Sequence, residues 1–296
     1  MNVKLHNIRV QPLIHFSSVN VQADILRLDL LHPVVSGNKW FKLKYFLQEA
    51  KDTHKTTIAS FGGAYSNHIV ATAYAAKEAG LNSIGFIRGE KPALLSTTLE
   101  NAMNYGMQLV FIERNRYQNK ELIIQANTDP AYYWIREGGY GVKGATGASE
   151  ILQTTDTSSY SHILCATGTG TMMAGLIKAA QPGQEIIGIS VLKNNFSIRE
   201  EVLSLLTAFE KEKIFTFSHD YSFGGYARHP EELIRFMTET WQLEQLPTDI
   251  VYTAKLLYAA KDMIARNQFP FGSRLLLIHS GGLQGNESLP FNTLPF

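Results

Sequence analysis

Apolar and polar positions change period repeatedly along this chain, and each change marks a strand or a helix. Residues 25–30 alternate apolar and polar like a half-buried strand, which His32-Pro33 ends. Beyond Lys39 the period lengthens: Trp40, Leu43, Leu47 and Ala50 recur at helical spacing, with Lys44, Gln48, Glu49 and Lys51 between them. Residues 57–61 read as a short buried strand breaking at Gly62-Gly63. A helix over 66–79 follows, with Ser66 or Asn67 as N-cap and Gly80 as terminator. Strands are then expected at 83–87, 108–112 and 132–136, with helices at 97–105 and 120–126. The glycine-rich stretch 138–147 is expected to be flexible and to divide two series of βα units. In the second series, strands at 161–166, 185–191 and 274–279 alternate with helices at 171–180, 197–210, 230–241 and 256–266. This alternation predicts an α/β fold of open parallel sheets with helices on both faces, binding ligands beyond the carboxyl ends of the strands.

Composition narrows the partners. The 296 residues suffice for one large domain or two modest ones, and two is the expectation. With 45% hydrophobic residues, 18% charged and a net charge of +1, nothing points to disorder, nucleic acid or a membrane surface, and a small-molecule partner is expected. Cys165 is the single cysteine, which excludes an internal disulfide and a cysteine metal cage and fits a reducing, cytoplasmic setting. No histidine has another at i+3 or i+4, so metal ligation is not indicated. No apolar run approaches the roughly 20 residues that cross a bilayer. The N-terminus, with Lys4, His6 and Arg9 among polar residues, lacks a signal-peptide core.

Three loops are candidates for chemistry. In Ser36-Gly37-Asn38-Lys39-Trp40-Phe41-Lys42, Gly37 and Asn38 tolerate a sharp turn that presents Lys39 from the first turn of a helix. In Cys165-Ala166-Thr167-Gly168-Thr169-Gly170-Thr171 a strand gives way to a helix. Glycines there admit close approach, and amides, hydroxyls and the helix dipole favour an anion. Met173 stands where a dinucleotide fingerprint needs its third glycine and no P-loop lysine follows, so a single terminal phosphate suits the loop better than a pyrophosphate. In Phe61-Gly62-Gly63-Ala64-Tyr65-Ser66-Asn67-His68 the helix start offers N–H groups to a carboxylate, and Ser66 and Asn67 equally serve as caps. Ser66 is not the nucleophile elbow of a hydrolase. A lysine at a rigid junction, a phosphate cradle and a carboxylate cradle are the parts that a pyridoxal phosphate enzyme needs.

On these motifs, in this order over nearly the whole chain, the sequence resembles the pyridoxal phosphate enzymes that include 1-aminocyclopropane-1-carboxylate deaminase and D-cysteine desulfhydrase. These lie in the fold-type-II, tryptophan synthase β-like superfamily. The resemblance rests on Gly37-Asn38-Lys39 with Lys42, Gly62-Gly63 before Ser66-Asn67-His68, the loop from Gly168 to Thr171, Val251-Tyr252-Thr253-Ala254-Lys255, and His279-Ser280-Gly281-Gly282. It implies two open twisted parallel-sheet domains, with a larger cofactor-binding one of residues 1–42 and 147–296 and a smaller one of 43–146, and a homodimer. Lys39 is then the Schiff-base lysine and α-proton shuttle, and Asn67 the partner of the cofactor's phenolic oxygen. Lys42 with Gly168, Thr169, Gly170 and Thr171 holds the phosphate. Ser66, with Tyr65, Asn67 and His68, meets the substrate, and Tyr226 and Tyr252 are the active-site tyrosines.

Departures from the deaminase pattern favour the desulfhydrase branch. Where the deaminase has a glutamate facing the pyridine nitrogen, this chain has Thr253, a neutral group that makes a weaker electron sink, adequate for a good thiol leaving group. Ser280 stands where the deaminase has leucine. Tyr65 stands where the family has glutamine and fits neither branch. The expectation is α,β-elimination from a small amino acid, D-cysteine first, giving pyruvate, sulfide and ammonia. The alternative is opening of 1-aminocyclopropane-1-carboxylate to 2-oxobutanoate and ammonia. A nicotinamide-dependent oxidoreductase is opposed by Met173, and a non-catalytic amino-acid binder by the set Lys39, Ser66, Asn67, Tyr226 and Tyr252.

Overall fold

Short apolar runs pair into two sheets, and the amphipathic stretches become the helices that cover them. The computed structural model describes residues 5–296; Lys4 of the polar N-terminus lies outside the described residues. In chain order the first elements are β1 (Val10–Pro12), β2 (Val21–Arg27), α1 (Asn38–Asp52), β3 (Thr57–Gly62), α2 (Asn67–Glu78) and β4 (Asn82–Arg88). Next come α3 (Thr97–Asn104), β5 (Met107–Ile112), α4 (Arg114–Tyr117), α5 (Lys120–Ala126), β6 (Tyr132–Ile135) and α6 (Val142–Ser149). The chain continues with β7 (His162–Thr167), α7 (Thr171–Ala179), β8 (Glu185–Ser190), α8 (Ile198–Leu203), α9 (Ala208–Lys211), β9 (Phe215–Ser218), α10 (Glu231–Glu244), α11 (Thr253–Ala265) and β10 (Ser273–His279).

The larger sheet runs β1-β2-β10-β7-β8-β9 and the smaller β5-β4-β3-β6. Every pairing is parallel except β1 on β2. Strands covered on both faces need continuous apolar runs. Accordingly Leu275, Leu276, Leu277 and Ile278 are all fully buried. Leu275 and Leu277 face the α10–α11 side with Leu164, while Leu276 and Ile278 face the α6–α7 side with Ile163 and Cys165. Among the described residues no helix is long and apolar enough to cross a membrane.

Four features differ from the sequence pattern. Residues 25–30 are not one half-buried strand: β2 ends at Arg27, with Ile25, Leu26 and Arg27 all buried because the strand is covered on both faces, and Leu28–Leu30 form a turn of 3-10 helix. Residues 197–210 are not one helix: α8 stops at Leu203, and a capping box between Thr207 and Glu210 starts α9, a local cap that overrides the continuing periodicity. The glycine-rich stretch does lie where the chain passes from one sheet to the other, but from Val142 it is helix α6, packed between α1 and α7. Its glycines permit close approach rather than flexibility, since a Cβ on Gly147 would overlap the Phe41 carbonyl oxygen. The edge strands β1 and β9, of three and four residues, are too short to show a period.

Candidate active site

Loops at the carboxyl ends of β3, β7 and β10 converge on the start of α1. Gly37 has φ +62°, and a Cβ there would overlap the Ser280 carbonyl, whose oxygen accepts from the Asn38 N–H at 3.1 Å. The turn therefore needs glycine for its angle and for its space. His279, fully buried, fixes the other side of this contact. Its Nε2 donates to the Pro247 carbonyl at 2.8 Å, so its Nδ1 is the acceptor for the Gly281 N–H at 3.2 Å. The Gly282 carbonyl in turn accepts from Asn67 Nδ2 at 2.8 Å, tying α2 to the same loop.

Lys39 and Lys42 stand one turn apart on α1. Lys39 Nζ donates to Asn38 Oδ1 at 2.6 Å and lies 6.0 Å from the centre of the Tyr252 ring. Burial lowers its pKa to about 8, against the opposing pull of Asp249. Lys42 is only 5% exposed and donates to the Gly138 carbonyl at 3.3 Å. Burial, reinforced by the charge of Lys39, holds its amine well below the ordinary lysine range. Among the described residues neither lysine forms an ion pair. A buried cation without a counter-ion is costly, so this corner suits an anionic ligand.

His68 adds no competing charge. Burial and the two lysines push its pKa down to about 3. The Ser60 hydroxyl donates to the Ile135 carbonyl at 2.8 Å, so His68 Nε2, 2.8 Å from Ser60 Oγ, is the donor of that pair. Its Nδ1 is left as a buried acceptor without a partner.

The candidate phosphate loop faces these lysines. Gly170, at φ +73°, is the N-cap of α7, and the Thr169 and Thr171 hydroxyls are 3.1 Å apart. Gly138 joins the loop to Lys42: its carbonyl is the lysine's acceptor, and a Cβ on it would lie 2.9 Å from Thr169 Cγ2. The same construction on Gly168 reaches Tyr252 Cε1 at 3.3 Å, so that ring lies against the loop. Thr167 Oγ1 and Asn67 Oδ1 are buried without partners.

Tyr252 and Tyr226 meet edge to face, with ring centres 6.4 Å apart at 79°. Burial and Tyr226 hold the Tyr252 phenol well above its usual range; Tyr226 is 46% exposed as a residue, but desolvation of its phenol and the charge of Asp249 raise it too, so both stay protonated. Thr253 is fully buried, and its hydroxyl donates to Asp249 Oδ1 at 2.7 Å and accepts from the Asp249 N–H at 2.7 Å. Asp249, which sequence reasoning missed, also accepts from the N–H groups of Val251, Tyr252 and Thr253 at 2.9, 3.0 and 2.9 Å. An aspartate just before a helix start is a capping signal that marks it in hindsight. Ser66 Oγ accepts from the Ile69 N–H at 3.3 Å, an ordinary cap. Ser280 is buried behind Gly37, and Tyr65 is 42% exposed. The geometry thus gathers Lys39, Lys42, Asn67, His68, Tyr252 and the loop from Gly168 to Thr171, with Tyr226 beside Tyr252 and Tyr65 turned toward solvent.

Known proteins resemble this chain. The family model described as pyridoxal-phosphate dependent enzyme matches residues 5–281. A protein of Thermotoga maritima, provisionally named 1-aminocyclopropane-1-carboxylate deaminase, is 30% identical over 282 residues, covering 88% of this chain and 88% of its own. A protein of Pyrococcus abyssi with the same provisional name is 25% identical over 291 residues, covering 90% and 86%. Among solved structures, an ACC deaminase homologue has a TM-score of 0.79 at 24% identity, over 95% of this chain and 90% of its own. O-ureido-L-serine synthase has a TM-score of 0.70 at 13% identity, over 99% and 95%. At these identities the two structures speak to the fold, that of fold-type-II enzymes. The family model takes in Lys39, the Ser66 turn and the loop from Gly168 to Thr171, the Thermotoga relative aligns with most of the chain, and on that footing the chain belongs to the pyridoxal-phosphate dependent enzymes, among relatives named for 1-aminocyclopropane-1-carboxylate deaminase.

Proposed function

We propose that the chain eliminates the β-substituent of a small amino acid, with D-cysteine the leading substrate and pyruvate, sulfide and ammonia the products. The observation that carries this reading is the pair Lys39 and Lys42, two amines with depressed pKa and no acidic contact, facing a glycine–threonine loop at the start of α7. The residues fit pyridoxal phosphate: an unpaired buried cation beside a helix N-terminus suits its phosphate, and the Asn67 amide oxygen, buried without a partner among the described residues, is an acceptor left for a ligand to satisfy. Bound there, the cofactor supplies the electron sink that makes the α-proton acidic.

The chain's own groups divide the remaining work. Lys39 carries the cofactor and moves the α-proton, which a lysine of pKa near 8 can do at neutral pH. Lys42 and the N–H groups of Gly168, Thr169, Gly170 and Thr171 hold the phosphate, and the second amide proton of Asn67 orients the ring. The backbone N–H groups of Asn67 and His68 at the head of α2, with the Ser66 hydroxyl, receive the substrate carboxylate, and Tyr65 and Ser280 border its side chain. Tyr226 and Tyr252, protonated across the working range, serve as proton donors beside it. The cofactor belongs to the larger unit, residues 1–42 and 147–296, with residues 43–146 closing over it, in a cytoplasmic homodimer.

Thr253 supports elimination over ring opening. Its hydroxyl supplies no formal charge to hold the pyridine nitrogen protonated, and its one proton, directed at Asp249 here, would have to turn to reach that nitrogen. Ring opening of the cyclopropane acid is the second reading, favoured by the names of the Thermotoga and Pyrococcus relatives. Purified protein should be yellow and lose that band in Lys39→Ala. Sulfide from D-cysteine should then exceed 2-oxobutanoate from the cyclopropane acid; the reverse ratio rejects the elimination reading.

A further inference from the structure

A cavity of about 440 Å³ opens in the smaller sheet's half of the molecule, lined by Arg88, Arg114, Tyr117, Gln118, Lys120 and Glu137. Arg88 is the last residue of β4, beside the end of β3 where Gly62 pairs with Ile87. Its guanidinium lies 3.9 Å from the place a Cβ on Gly63 would take, so it stands against the turn that leads to Ser66 and Asn67. Arg114 Nε is at the same distance from the corresponding point on Gly89. Lys120 is neutralised by Glu137 at 3.0 Å, whereas Arg88 and Arg114 form no ion pair among the described residues. Tyr117 is 3% exposed, and its hydroxyl is buried beside the Glu137 carboxylate.

Two observations connect this cavity with the candidate site. Tyr226, whose ring meets Tyr252, sits in the field of both Arg88 and Glu137, and Tyr117 in that of Tyr226. A second cavity, of about 240 Å³, shares Lys120 and Glu137 with the first and reaches Thr169 of the phosphate loop. Arg88 and Arg114 are exposed and line the same depression, and two unpaired guanidinium groups so placed match an oxyanion, which their forks bind in pairs.

We propose that this cavity is a subsite for a second anion on the substrate, so that the preferred amino acid carries a carboxylate, sulfonate or phosphate on its β-substituent. The inference rests on the elimination reading and narrows its substrate class. The Cα–H and Cβ–X bonds break, the proton passes to Lys39, and X departs with the bonding electron pair and its own anion toward Arg88. D-cysteine satisfies the chemistry and leaves the subsite unfilled.

The test compares near-isosteres on the holoenzyme: S-carboxymethylcysteine against S-carbamoylmethylcysteine, and O-phosphoserine against serine, each as D and L forms, scored for keto acid. The anionic member should have a KM lower by about 10- to 100-fold, the range of one to two charged hydrogen bonds. That ratio should fall toward one in Arg88→Gln, and partway in Arg114→Gln. Inorganic phosphate should compete with the anionic substrate in the wild type and lose that effect in Arg88→Gln. If the wild type treats both members alike, or the ratio survives in Arg88→Gln, the subsite is refuted. Where no member turns over, calorimetric titration with the same pairs decides on the same criteria. The visible cofactor band and its loss in Lys39→Ala are read separately, so a yellow enzyme without discrimination overturns only the subsite.

Discussion

Replacing Lys42 with methionine separates two effects of opposite sign. The amine is buried, its one bond is to the Gly138 carbonyl at 3.3 Å, and it lacks a carboxylate partner. In the cofactor-free protein that charge opposes folding. The folded-state pKa lies below the ordinary value of 10.5, so the unfolded chain binds the proton more readily. Wild-type stability must then rise with pH between the folded pKa and 10.5, where the unfolded lysine also loses its proton. Lys42→Met removes the penalty and keeps the apolar stem. The apoprotein should gain about 1–2 kcal/mol at neutral pH, a Tm rise of about 2–4 °C, and the gain should vanish as pH approaches 10.5. With cofactor present the sign reverses. A charge-assisted bond to phosphate is worth about 1.5–3 kcal/mol, so the dissociation constant should increase about 10- to 150-fold. Titration of apoprotein with pyridoxal phosphate, followed by visible absorbance, measures the second effect, and thermal unfolding of apoprotein across pH measures the first. An affinity within about twofold of wild type, or an apoprotein destabilised by a pH-independent amount, would show Lys42 to be a packing residue and refute the reasoning.

Two further outcomes are expected. Capture of the cofactor needs the free amine of Lys39, so its rate should rise with pH and level off above a midpoint near 8; a midpoint in the ordinary lysine range would mean that Lys39 is solvated in the apoprotein. Gly147→Ala should destabilise the holoenzyme by about 2–4 kcal/mol in urea unfolding, because a Cβ there meets the Phe41 carbonyl, and should weaken cofactor binding, because Phe41 lies between Lys39 and Lys42 on α1. In an open helix the same change would stabilise by about 1 kcal/mol, and a gain of that sign would mean that α1 and α6 do not pack as described.

Much of the architecture was legible in local pattern. Residues 120–126 are α5 as the periodicity has them, Ser66 caps α2, and Gly37 and Gly170 take the positive φ that their turns require. Where the pattern misled, a competing local or spatial term prevailed. Thr207 and Glu210 close a capping box that divides 197–210, and the glycines of 138–147 let α6 approach α1 rather than loosen the chain. Asp249 escaped notice because its carboxylate is spent on backbone groups and a threonine nearby, with no reactive motif around it.

What the sequence by itself determined is the run of strands and helices and the chemical character of each loop, since periodicity, caps and turn residues act over a few neighbours. What only the tertiary structure decided is which loops meet. Lys42 finds the Gly138 carbonyl across 96 residues, and Asn67 finds that of Gly282 across 215. Such contacts leave no period in the chain, and they arise only once parallel strands bring their carboxyl ends together. The depressed pKa of Lys39 and the neutrality of His68 follow from the burial this produces, and the grouping of Arg88 with Arg114 follows from the same convergence, not from the residues alone.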